Sequence, residues 1–196
     1  MRQLTEKTQK KFYMKFEDNF ITYELPKILV DLFTFQNENN CFRMYSNGFG
    51  LRFENFDNFF SEKFNKTFIP FATANSSGST YGFWITNSSK NLIDFPIVMF
   101  GDEGGINIIA ENIFKLLANL TLDLEPDIEY YSNEITFDNE DYEKSEYLDK
   151  YKKWLNLNGI EFTDKTFNEL ESEIKLIQNK YKLDLEVWKS KYYDKI

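Results

Sequence analysis

The stretch Gly78-Ser79-Thr80-Tyr81-Gly82-Phe83-Trp84, followed by Pro96-Ile97-Val98-Met99-Phe100-Gly101-Asp102-Glu103-Gly104-Gly105, decides the fold. Thr80 to Thr86 alternates with period two. Tyr81, Phe83 and Ile85 share one side and Gly82, Trp84 and Thr86 the other, which predicts a strand. Thr67 to Ala72 reads as its hairpin partner, joined to it through the turn cluster Asn75-Ser76-Ser77-Gly78-Ser79. Ile97 to Phe100 is a continuous apolar strand, Gly101 to Gly105 a turn, and Ile106 to Ala110 a returning strand. Strands this close in sequence predict a mostly antiparallel sheet. With helices before and after it, the class is α+β.

Outward from that sheet the period changes. Leu25, Ile28, Leu29, Leu32 and Phe33 keep the i, i+3, i+4, i+7, i+8 spacing of one helix face, with Pro26 in the first turn and the polar run Gln36 to Asn40 at the end. Phe12, Phe16 and Phe20 suggest an earlier helix, and Phe56, Phe59, Phe60 and Phe64 a short one. Cys41 to Ser46 reads as a short strand. Ile109, Ile113, Leu116, Leu117 and Leu120 line a helix after the sheet. Towards the C-terminus, Tyr147, Tyr151, Trp154 and Leu155 form a helix stopped at Asn158-Gly159. Thr163-Asp164 is the expected N-cap of a helix carrying Phe167, Leu170, Ile174, Ile177 and Tyr181, and a last short helix carries Leu185, Trp188 and Tyr192. One domain over residues 1–196 is expected: core 20–120, acidic connector 121–149 and C-terminal helices 150–196.

Composition narrows the chemistry. Apolar residues make up 42% of the 196 and aromatics 18%, enough for a core rich in rings. There is no histidine and one cysteine, Cys41, so the usual general base, the Ser-His and Cys-His pairs and a structural zinc site are missing. Carboxylates alone can still catalyse, but this composition disfavours catalysis, and no cofactor or metal is expected. Residues 1–16 lack an apolar core of the signal-peptide kind, no window is apolar enough to span a bilayer, and the lone cysteine suits a reducing compartment, so the expected location is cytoplasmic.

Three motifs invite functional readings. The turn Gly101 to Gly105 resembles a phosphate cradle, but it contains two carboxylates and no lysine follows. Asp102 and Glu103 as an acid–base pair would have to converge, whereas neighbours in a tight turn diverge. Residues 121–149 hold eleven acidic side chains against Lys144 alone, a local balance of −10 where the whole chain carries −9. Asp138-Asn139-Glu140-Asp141-Tyr142-Glu143 lacks the order and the glycine of a calcium loop. Such a charge cluster repels nucleic acid and suits a basic protein. Tyr130-Tyr131, Ile135 and Phe137 within it have the character of an edge strand.

The central stretch resembles the SUKH superfamily of bacterial immunity proteins. The resemblance is carried by Phe68-Ile69-Pro70-Phe71-Ala72, by Gly78 to Trp84, by Pro96 to Gly104 and by Ile109-Ala110-Glu111-Asn112, with fainter matches at Leu25-Pro26, Trp154 and Trp188. It covers about half of the chain. It implies a curved sheet with N-terminal and C-terminal helices packed against it. It also implies a non-catalytic protein that binds and neutralises a cognate toxin, often a nuclease; the same superfamily includes yeast cell-wall regulators. The shared motif residues have the character of fold determinants, so partner binding is expected in the acidic segment, at Asp138, Glu140, Asp141 and Glu143. The alternative is a regulatory scaffold for an endogenous protein partner.

Overall fold

The computed structural model describes residues 13–20, 22–52, 62–138 and 142–193. Five antiparallel strands lie in sequence order: β1 (Gly50–Leu51), β2 (Phe68–Thr73), β3 (Thr80–Trp84), β4 (Ile97–Phe100) and β5 (Ile106–Ala110). A separate two-stranded ribbon is made by β6 (Glu125–Ile128) and β7 (Ile135–Asp138). The helices are α1 (Lys27–Glu38), α2 (Glu62–Asn65), α3 (Ile113–Asn119), α4 (Leu148–Leu157) and α5 (Phe167–Trp188). The α+β class with an antiparallel sheet is as the pattern predicts.

Both faces of the sheet are covered, and strand alternation sorts the side chains between them. Tyr81, Phe83, Ile97 and Met99 face the larger core with α1, α3 and α4, while Trp84, Val98, Ile106 and Ile108 face a smaller cluster with Leu185 and Trp188 of α5 and Phe64 of α2. Two bulges adjust this sorting. Register slips between Pro70 and Ala72 on β2 and opposite Ile97/Val98 on β4, so Phe71 and Ala72, and likewise Ile109 and Ala110, enter the same larger core as adjacent residues. Pro70 sits at the first slip, a position where a missing N–H is tolerated in a strand.

Gly82 is a packing requirement. It faces the smaller cluster, where the ring of Phe68 lies across it; an added Cβ would fall within the edge of that ring and 3.0 Å from the Ile69 carbonyl oxygen. Gly82→Val is expected to cost about 1–3 kcal/mol, the usual penalty of overpacking a closed core. Urea denaturation measures it, and an unchanged midpoint would mean that Phe68 swings clear.

Several predicted boundaries differ. Residues 41–46 form turns and not a strand, because Asn40 (φ 50°) and Arg43 (φ 57°) take left-handed conformations. The turn buries Cys41 and Tyr45, whose hydroxyl donates to Gln36 Oε1 at 3.3 Å. Pro26 is the N-cap of α1, one position earlier than its first turn. The cap of α5 is Thr166 and not Thr163-Asp164. Thr166 and Glu169 form a reciprocal capping box, and Asp164 pairs instead with Lys152 Nζ at 3.0 Å. The two predicted C-terminal helices are one helix of 22 residues that runs on into a π turn, Lys189–Tyr193. Phe12, Phe56, Phe59 and Phe60 lie outside the described residues; Phe64 lies in α2 and Phe16 in helical residues 13–17.

Candidate functional site

The acidic segment is anchored at its start by one carboxylate. Asp123 follows a 3-10 turn, Leu120–Leu122, and takes a left-handed conformation (φ 63°), which aspartate tolerates better than most residues. It is fully buried. Its Oδ1 accepts from the Asn47 N–H (2.8 Å) and the Ser145 hydroxyl (2.6 Å), and its Oδ2 from the Ser145 N–H (2.7 Å) and the Tyr142 hydroxyl (3.1 Å). Asn47 reaches back to the same segment, donating from Nδ2 to the carbonyls of Asp123 and Glu143 at 2.9 Å each. Burial first, then the Asp123 charge and its hydrogen bond, push the Tyr142 phenol up from its ordinary value. One interior carboxylate thus joins both ends of the ribbon to the loop before β1.

The ribbon is fixed on its other sides as well. Glu125 accepts from the N–H and hydroxyl of Ser76, both at 2.7 Å. Asn75 donates from Nδ2 to the Pro126 carbonyl (3.0 Å), while its Oδ1 accepts from the N–H groups of Gly78 and Ser79. At the ribbon's turn, Asn133 adopts φ 55°, accepts at Oδ1 from the Ile106 N–H (3.1 Å) and accepts at its carbonyl from Asn107 Nδ2 (2.7 Å). The Tyr130 ring lies where a side chain on Gly104 would stand, within 2.8 Å of an added Cβ.

The glycine turn is therefore the seat of the ribbon. Its amides are committed inside the protein: Gly101 to the Gly105 carbonyl (3.0 Å), Asp102 to Ser79 Oγ (3.2 Å), Gly104 to the Gly101 carbonyl (3.1 Å) and Gly105 to Tyr193 Oη (3.0 Å). The Glu103 amide faces the Asp102 carboxylate. None of the five remains to cradle a phosphate. The Asp102 carboxylate accepts from the Ser77 and Ser79 hydroxyls at 2.9 and 2.8 Å. Partial burial opposes its ionisation, but those hydroxyls and the two backbone amides outweigh it and hold the carboxyl below its ordinary value.

What this scaffold presents is acidic and aromatic. Asp127, Glu129, Glu134, Glu143 and Glu146 are exposed, and an open cleft of about 460 Å³ runs between the ribbon and the β2–β3 loop, lined by Asn75, Ser76, Glu125, Asp127, Tyr142 and Glu143 among others. At the tip, Tyr131 is 91% and Tyr130 57% exposed, their rings edge-on at 5.1 Å. Of the four residues expected to meet a partner, Glu143 lines the cleft and Asp138 ends β7 opposite Glu125. Glu140 and Asp141 lie outside the described residues. Not all the segment's charge is available to a partner, because Asp123 is interior and Glu125 is engaged by Ser76. The sequence pattern did not mark Tyr130 and Tyr131 as exposed; an apolar pair between acidic residues reads equally well as strand.

Among the described residues no three acidic or thiol side chains converge as metal ligands, and no helix is long and apolar enough to cross a membrane. No family model, curated protein or solved structure matches the chain.

Proposed function

We propose that the chain is a non-catalytic immunity protein that binds and neutralises a cognate bacterial toxin, a nuclease-type toxin with a basic active cleft. One observation carries the reading: a ribbon held from three sides displays exposed carboxylates and, at its tip, two exposed tyrosines, Tyr130 resting against Gly104 and Tyr131 extending into solvent. Nucleases hold phosphates with cationic side chains, and an acidic surface offers those side chains an alternative counter-charge. Tyrosines supply contact area at small entropic cost and are frequent hot spots. Because the backbone is already ordered, little freedom is lost on docking. The likeness to SUKH immunity proteins supports the same reading.

Co-expression with the toxin encoded beside this gene is expected to protect the cell and to yield a complex that co-purifies. Absence of both protection and complex refutes the proposal. Reversal of Asp138, Glu140, Asp141 and Glu143 to lysine is expected to slow association on the order of 10- to 100-fold at low salt and to flatten its salt dependence. An unchanged on-rate would move the interface to the sheet and its loops.

A further inference from the structure

The long C-terminal helix carries an apolar stripe that nothing among the described residues covers. Leu176, Leu183 and Val187 are 71%, 81% and 68% exposed. At about 100° per residue they fall within about 40° of one another around α5. The opposite side of the helix is the one that packs on the fold, through Leu170, Ile174, Leu185 and Trp188. Ser172, Asn179 and Ser190, spaced seven and eleven residues apart, lie beside the stripe and are small or short enough for another helix to approach.

Charge along α5 is graded. Its first half carries Glu169, Glu171 and Glu173 against Lys175, whereas its second half and the π turn carry Lys180, Lys182 and Lys191 against Asp184; Lys189 is buried and pairs with Glu186. A helix that is acidic at one end, apolar in the middle and basic at the other is complementary to itself when reversed. We infer that α5 pairs antiparallel with α5 of a second copy of this chain, closing a two-fold dimer whose axis passes between Lys180 and Leu183. In that register Leu176 meets Val187 of the other copy, Leu183 packs against the stem of the opposing Lys180, and Glu173 lies beside the opposing Lys191. The contact is small for a protein interface, so the dimer is expected to be weak, with a dissociation constant of about 10–100 µM.

Sedimentation equilibrium from about 1 to about 500 µM is the test. The mass should rise from 23.5 kDa towards twice that value with concentration. Leu183→Glu should shift dissociation by about 100-fold or more while leaving the circular dichroism unchanged. Glu173→Lys and Lys191→Glu should each weaken self-association, and an equimolar mixture of the two should restore it, because both cross-axis contacts then become attractive. Glu173 also pairs with Lys165 within the chain, a contact that mixing cannot repair, so rescue reports the interface alone. A chain that stays monomeric at about 500 µM overturns the pairing and leaves the stripe to a different partner. A dimer indifferent to Leu183→Glu, or single variants that mixing does not rescue, overturns this helix and this register.

Discussion

Asp123→Ala is expected to destabilise the fold by about 3–5 kcal/mol, a large share of what holds a domain of this size together. Four donors converge on this fully buried carboxylate, and among the described residues no cation is paired with it. Hydrogen bonds to a charged group contribute about 1.5–3 kcal/mol each, though they do not add independently. Alanine would leave the Asn47 and Ser145 amides without an acceptor in the interior, at about 1–3 kcal/mol for each group. It would also have to adopt the left-handed conformation, at about 1–2 kcal/mol. Asp123→Asn keeps the shape, one strong acceptor and the tolerance for that conformation, so it should cost less than half as much. Urea titration at neutral pH measures both variants, and equal losses for Asn and Ala would mean that the charge, not the acceptor geometry, matters. Under the proposed function the Ala variant has a second consequence. Freed from Ser145 and Tyr142, the segment that follows the ribbon should bind its partner more weakly even well below the melting temperature.

The sheet was legible because its signals are local. Period-two alternation at Thr80 to Trp84 and the positive φ of Gly104 and Gly105 are features that a short window of sequence reports. The errors fall where distant partners decide. Cys41 to Ser46 is apolar enough to read as a strand, but its apolar residues serve a turn that buries Cys41 and Tyr45 against α1 and α4. The break expected before Leu185 does not occur: one continuous helix packs Leu170 and Ile174 into the larger core and Leu185 and Trp188 into the smaller cluster. The candidate site follows the same rule. Local composition marks its charge, but nothing near Asp123 in sequence indicates that it is interior. Its partner Asn47 is 76 positions away and its partner Ser145 is 22 positions away. Even the glycine turn, the most site-like motif, takes its role from residues far along the chain, Asn133 and Tyr193.

Alkali is expected to unfold the protein cooperatively, because the larger core contains phenols that cannot ionise in place. Tyr45, Tyr81 and Tyr151 are buried, and burial is the main cause that pushes each of them well above the ordinary phenol value; Tyr151 and Cys41 add to the effect on Tyr45, and Glu125 to that on Tyr81. The hydrogen bonds reinforce this: the Tyr45 hydroxyl donates to Gln36 Oε1 and the Tyr151 hydroxyl to the Leu117 carbonyl at 2.8 Å, so a phenolate would face an acceptor oxygen. Beside them the Cys41 thiol is pushed up to about 11, chiefly by burial. Groups whose folded value is raised contribute stability that is intact below the unfolded value and lost as pH rises through it. Stability should therefore hold to about pH 9, then fall as the thiol and the three phenols titrate only in the unfolded chain, the phenols alone removing roughly 4 kcal/mol by about pH 11. Phenolate absorbance followed together with circular dichroism reads the outcome. A subset of the tyrosines should ionise in one steep step that coincides with loss of structure. Tyr151→Phe should weaken the fold at neutral pH by about 1 kcal/mol through the lost hydrogen bond, yet reduce the alkaline slope by one proton, so that the two stability curves converge as pH rises. Gradual ionisation of every tyrosine with the native spectrum retained would contradict the buried ring cluster that Tyr45, Tyr151, Phe35 and Trp154 form beneath α1 and α4.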